Sequence, residues 1–151
     1  NLPISRDTIL TKLDEIQKDI MKLNDMRNLT LEEFKSGENF AIAEHYLRRA
    51  LEALFEIGAH ILSRLPGRRA SGYKDIAILL GEQKIVPPDF AEETLVKMAG
   101  YRNRLIHFYS EITKDEMHAI IKDRLNDFNA FSEYIKTLLS SPEKFGLSID
   151  E

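Results

Sequence analysis

Isoleucine and leucine recur at positions 9, 13, 16, 20 and 23, alternately four and three residues apart, with Lys, Asp and Glu between them. Side chains at those spacings share one helix face, so the stretch predicts an amphipathic helix of about five turns that Asn28 ends. Thr30 to Glu33 reads as a capping box, in which a Thr oxygen and a Glu carboxylate each satisfy a free N–H of a helix start. It predicts a short turn ending at Gly37. A longer helix follows from about Glu38 to Leu65, where Pro66-Gly67 stops it. One stripe on it holds Phe40, Ala43, Leu47, Ala50, Leu54, Ile57 and Ile61; a second holds Leu51, Phe55, Gly58 and Leu62. A helix apolar on two faces needs cover on two sides, which places this one at the centre of a bundle.

Ser71-Gly72 opens a third helix, about Tyr73 to Leu80, which Gly81 closes. Pro87-Pro88 opens a fourth, about Asp89 to His107, since proline is tolerated in a first turn. Thr113 to Glu116 is a second capping box and starts a fifth helix with the seam Met117, Ile121, Leu125, Phe128, Phe131, Ile135 and Leu138. Ser140-Ser141-Pro142 ends it and leaves a frayed tail. Strand-like alternation, internal repeats and composition shifts are absent from the pattern. The expectation is therefore all-α: a four-helix up-and-down bundle with a short additional helix, residues 1–139 forming one domain and 140–151 a tail.

Composition narrows the function. A chain of 151 residues, 43 % hydrophobic and 30 % charged, has the make-up of a soluble globular domain. It has no cysteine, which removes disulfides, thiolate metal sites and Cys nucleophiles and fits a reducing cytoplasm. No apolar run approaches the ~18 residues of a membrane span, so no membrane partner is expected. The net charge of −4 speaks against a general nucleic-acid coat, though not against a local basic site.

The pattern breaks in the fourth helix. Its seam runs Ala91, Leu95, Met98, Arg102, Leu105 and Tyr109, so Arg102 stands in an apolar stripe beside Met98, Ala99 and Ile106. Charged residues are rarely buried unless paired. One reading has Arg102 snorkelling or pairing with Glu44 or Glu52 of the second helix. The other rests on the surrounding residues: Tyr101-Arg102-Asn103-Arg104-Leu105-Ile106-His107-Phe108-Tyr109 holds Arg-Asn, then His five residues after the Arg, then Tyr two further on. With 4 His and 5 Tyr in 151 residues, chance yields this combination on the order of 0.0004 times per chain.

This block resembles the R-x4-H-x-Y motif of HEPN-domain proteins, and within them the HepT family of toxin ribonucleases. The resemblance extends to the long central helix with Glu44 and Glu52, to Ser71-Gly72-Tyr73-Lys74 and to the Pro-led fourth helix. It implies a HEPN-like bundle that forms a homodimer and cleaves RNA as a metal-independent endonuclease without cofactor. His107 would move protons and Arg102 would stabilise charge on the phosphate, with Asn103 in support. By the same resemblance Tyr109 is where a nucleotidyltransferase antitoxin attaches AMP, and the added charge and bulk block the cleft.

Geometry adds a condition. Five residues at about 100° each put Arg102 and His107 roughly 140° apart on a continuous helix. Either the helix unwinds near His107 or a second subunit completes the cleft, where Gly100 would permit close approach. On a continued helix Tyr109 shares the face of Arg102.

Between Glu56 and Asp75 no acidic residue occurs, while Arg64, Arg68, Arg69 and Lys74 add positive charge around Tyr73. This is either a phosphate-binding loop with one stacking platform, to which Arg104 would add a contact, or a solvated interhelical loop. His45 and His60 lack the spacing of a zinc helix, and His118 reads as a surface residue, so no metal site is expected. A non-catalytic dimeric helical adaptor that binds a nucleotidyltransferase or RNA fits the same residues.

Overall fold

The computed structural model describes residues 2–107 and 110–150. Helix α1 (Arg6–Asn24) starts where the Ser5 hydroxyl accepts the Thr8 N–H, and it buries Ile9, Leu13, Ile16, Ile20 and Leu23. In α2 (Leu31–Lys35) both halves of the Thr30–Glu33 capping box are made. The other helices are α3 (Asn39–Leu62), α4 (Tyr73–Glu82), α5, α6 (Lys114–Asp123) and α7 (Asn126–Ser140). Helix α5 has three parts: Pro88–Phe90, a π-helical turn Ala91–Leu95 in which the Val96 N–H donates to the Ala91 carbonyl, and Val96–Ile106.

The expected all-α bundle is the one observed, with α3 at its centre. Both predicted stripes of α3 are buried, from Ala43 and Leu47 through Leu51, Leu54, Phe55 and Ile57 to Ile61. Truncating a side chain as deeply buried as Leu54 to alanine costs about 2–5 kcal/mol. Helix α1 lies along one side of α3, and α4 and α5 cover another. A Cβ at Gly58 would lie 2.9 Å from Leu80 Cδ1 and 3.1 Å from Ile76 Cγ2, so glycine is what lets α4 pack this close to α3.

Three expectations need correction. Helix α4 does not stop at Gly81 but runs through it; a Cβ there would meet that of Ala91 at 2.6 Å, so this glycine serves the close approach of α5 rather than a helix end. The single fifth helix is two, because the chain tightens where the Asp127 N–H donates to the Arg124 carbonyl and the Phe128 N–H to that of Leu125. The buried stripe continues through Ile121, Leu125 and Phe128, which hides the break from a reading of periodicity.

The segment after Ser140 is packed rather than frayed. It forms a 3-10 turn, Pro142–Phe145, buries Leu147, and pairs Ile149 with Ile4 in an isolated parallel bridge. The Ile4 N–H donates to Ser148 O at 2.9 Å and the Asp150 N–H to Ile4 O at 3.1 Å. Below them the Ser5 N–H donates to His60 Nε2 at 2.9 Å, and Arg64 Nε donates to Pro3 O at 3.1 Å. Both ends are thus clasped to the end of α3. Among the described residues Asp19 is the polar exception in the core, 4 % exposed, its Oδ2 3.5 Å from Arg49 Nε and its carboxyl pushed up by burial. Among the described residues no helix is long and apolar enough to cross a membrane.

Candidate active site

Helix α5 is buried through Ala91, Leu95, Met98 and Ala99, then emerges, and every residue from Tyr101 to Ile106 is half-buried. The motif therefore occupies the stretch where the helix leaves the core. Its last α-helical residue is Ile106. His107 follows in extended conformation, φ −100° and ψ 124°, exposed, with its N–H donated to the Asn103 carbonyl at 3.0 Å. The helix thus ends before the histidine. Tyr109 and Phe108 lie outside the described residues; the continued helix on which Tyr109 was to share Arg102's face stops at Ile106.

Arg102 has no carboxylate partner among the described residues. Its Cζ sits 4.0 Å from the centroid of the Tyr73 ring, and its Nε is buried without a hydrogen-bond partner. Glu52 is engaged by Arg48 Nε at 3.0 Å. Glu44 faces a cleft of about 450 Å³ between α3 and α5 with Ala41, His45, Arg48, Leu105 and Ile106. Burial and then the charge of Glu111 push its carboxyl up. The acidic pairing considered for Arg102 is replaced by an aromatic seat.

Two residues along, Arg104 is engaged through all three of its nitrogens. Its Nη1 and Nη2 reach the two carboxylate oxygens of Glu116 at 2.8 and 2.6 Å; Nε donates to Ser110 O at 2.9 Å and Nη2 to Glu111 O at 3.3 Å. These bonds hold Arg104 more firmly protonated than usual and engage the donors expected to contact phosphate. They tie α5 to the start of α6. Glu116 was legible only as a cap. Thr113 Oγ1 accepts the Glu116 N–H at 3.1 Å, as in a capping box, but the carboxylate turns to Arg104. A sequence signal exists only in retrospect: an acid at N3 has a second possible partner when an arginine precedes the loop.

The basic loop also turns inward. Arg68 forms a bidentate pair with Asp75 at 2.5 and 2.7 Å, and the Ser71 N–H donates to the same carboxylate. Those bonds hold the Asp75 carboxyl at about 2. Arg64 is occupied by Pro3 O and Ser63 Oγ. Arg69 and Lys74 are exposed. Tyr73 opens α4 with its ring edge-on to buried Phe55, centroids 5.4 Å apart at 86°. The structure therefore joins Tyr73 to Arg102 and leaves Arg64, Arg68 and Arg104 in contacts within the chain. At Gly100 a Cβ would meet Lys74 Cε at an ordinary contact distance of 3.9 Å.

The remaining histidines have local tasks. His60 accepts from Ser5, and its ring is pushed toward the neutral form by burial and by Arg64. His118 is not a surface residue as expected; it is half-buried, bonded at 2.9 Å to Leu29 O and tilted against Phe34. Among the described residues no group of three or more His, Asp or Glu side chains is arranged to hold a metal ion.

A helical bundle whose fifth helix runs out on Arg-Asn and stops at a histidine has the architecture of a HEPN domain. The chain belongs to the HepT-like ribonuclease family, whose model matches residues 13–135. It is 28 % identical over 137 residues to a tRNA nuclease HepT of Aphanizomenon flos-aquae, covering 90 % of this chain and 92 % of that one. It is 29 % identical over 90 residues to an mRNA nuclease HepT of Shewanella oneidensis, covering 60 % and 67 %. Among solved structures, the tri-AMPylated Shewanella oneidensis HEPN toxin in complex with its MNT antitoxin superposes with a TM-score of 0.79 at 25 % identity, over 87 % of this chain and 98 % of that one. Cytosolic YutE of Bacillus subtilis shares the fold, with a TM-score of 0.73 at 20 % identity over 92 % and 93 %.

Proposed function

We propose that this protein is the toxin of a HepT-type pair: a metal-independent RNA endonuclease that acts as a homodimer. A nucleotidyltransferase antitoxin silences it by attaching AMP to Tyr109. The observation that carries the reading is the state of Arg102, a half-buried arginine without a carboxylate partner among the described residues, five residues before an exposed histidine that ends the helix. A structural arginine in such a place would be expected to hold an acid.

In this reading a 2′-hydroxyl oxygen attacks the adjacent phosphorus as His107 takes its proton. The P–O5′ bond breaks with its electron pair going to the departing oxygen, which is protonated by the His107 imidazolium. The products are a 2′,3′-cyclic phosphate and a 5′-hydroxyl end. Arg102 stabilises the charge that builds on the phosphate oxygens, its fork matching their geometry. Asn103, whose carbonyl holds the His107 N–H, keeps the histidine at the helix end. Exposed Arg69 and Lys74 are the basic-loop residues best placed to meet RNA. Half-buried Leu105 and Ile106, which line the α3–α5 cleft, support a dimer contact there. Silencing requires the Tyr109 oxygen to attack the α-phosphorus of a nucleoside triphosphate, with pyrophosphate leaving.

The test is incubation of AMP-free protein with tRNA and with mRNA in EDTA, beside Arg102→Ala and His107→Ala. Cleavage in EDTA that both substitutions abolish, with cyclic phosphate ends, is the expected result. Cleavage that survives both, or that needs added metal, sinks the mechanism. Binding of RNA or the nucleotidyltransferase without cleavage leaves the adaptor reading in its place.

A further inference from the structure

Arg102 and Tyr73 come from different helices, 29 positions apart, yet the guanidinium carbon lies 4.0 Å from the ring centroid. The ring is itself held. Tyr73 is the first residue of α4, and its ring stands edge-on against Phe55, which is fully buried on α3. Of the two carboxylates considered for Arg102, Glu52 is held by Arg48 and Glu44 faces the α3–α5 cleft, while nearby Asp75 is held by Arg68 and Ser71.

A carboxylate and an aromatic ring both fix a guanidinium, but with opposite consequences. A carboxylate takes the N–H edge and cancels the charge, as Glu116 does to Arg104. A ring attracts the cation through its face, so the plane is fixed while the N–H donors at the edge stay unused. Among the described residues no hydrogen bond occupies the Arg102 side chain; its Nε is buried, so the edge left for an anion is that of the two terminal nitrogens.

We propose that Tyr73 is a positioning residue for RNA cleavage: its ring is the seat that orients the Arg102 guanidinium edge-on toward the phosphate. The proposal rests on the ribonuclease reading above. It replaces the expectation that Tyr73 stacks on a base, because the ring carries Arg102.

The test compares Tyr73→Phe, which keeps the aromatic face, with Tyr73→Leu, which removes it at similar volume. Cleavage by Tyr73→Leu should fall about tenfold in kcat with little change in KM for RNA, since orientation is lost and not charge; Tyr73→Phe should restore most of the rate. Equal rates for Tyr73→Leu and wild type overturn the proposal. Equal losses in both variants also overturn it, because they would make the hydroxyl the active part. A second readout is independent of activity. The side-chain Nε–H of Arg102, assigned by comparison with Arg102→Lys, should show an aromatic ring-current shift in the NMR spectra of wild type and Tyr73→Phe. It should move when an uncleavable 2′-O-methyl RNA is added. An unshifted resonance in wild type, or one indifferent to that RNA, overturns the seat even if Tyr73→Leu fails to fold. A wild type that binds the RNA through this resonance but cleaves nothing sinks the ribonuclease reading alone.

Discussion

Arg102 and Arg104 stand two residues apart on one helix, both half-buried, and the fold treats them in opposite ways. Arg104 has its donors met by Glu116, Ser110 and Glu111. Arg102 has its guanidinium carbon over the Tyr73 ring and a buried Nε with no partner among the described residues. The first arrangement joins α5 to α6 and fixes both borders of the segment between them. The second keeps a cation oriented and unneutralised, which is unfavourable for folding and suited to an anionic ligand. Burial or proximity in sequence would rank the two arginines alike; only their partners distinguish them.

The comparison breaks most decisively under alanine substitution. Arg102→Ala should lower RNA cleavage by about 10²–10³-fold, while the thermal midpoint stays or rises, since an unsatisfied buried donor is removed. Arg104→Ala should do the reverse in rank: a loss of about 1–2 kcal/mol in unfolding free energy, read as several degrees in a melt, with a smaller loss of cleavage. Two variants that melt alike would end the distinction.

Glu116→Gln sharpens it at smaller scale. The amide keeps the size but not the charge, so limited proteolysis between α5 and α6 should quicken a few-fold, and a double-mutant cycle with Arg104→Ala should return a coupling of about 1 kcal/mol. Coupling near zero would mean that the loop is held by the Ser110 and Glu111 carbonyls alone.

The smallest effect concerns pH and belongs to neither arginine. His60 is pushed below its ordinary 6.5 by burial first and then by the charge of Arg64, and its neutral Nε2 accepts the Ser5 N–H. The unfolded chain therefore binds the proton more readily, and stability is full above about pH 6.5 and declines as pH falls below it. His60→Gln should flatten the melting midpoint between pH 7 and pH 5, and an unchanged slope would remove His60 from the clasp.

Much of the fold was legible because periodicity reports burial directly: the α1 stripe and both α3 stripes lie where the spacing puts them. The same signal is blind to a break that preserves the stripe, as at Arg124, and to glycine used for contact, as at Gly81. The tail escaped notice because Leu147 and Ile149 are held by Ile4 and the core, contacts that no local pattern encodes. At the site the motif residues were readable from their spacing. What each one touches was not, since Tyr73 and Glu116 reach Arg102 and Arg104 from other helices.

The π turn at Ala91–Leu95 has a consequence for the motif downstream. Each residue advances a helix by about 100°, and a turn closed from i to i+5 holds one residue more than an α-helical one. The stretch Val96–Ile106 is therefore set in a different rotational phase from the end anchored at Pro88 beside Gly81. Deleting one exposed residue there, such as Glu92, would leave every motif spacing intact and swing Arg102 about a quarter-turn off its ring. Two chains with the same Arg-to-Tyr block can thus differ in whether that block points at anything, and the phase between anchor and motif belongs to the site as much as the motif does.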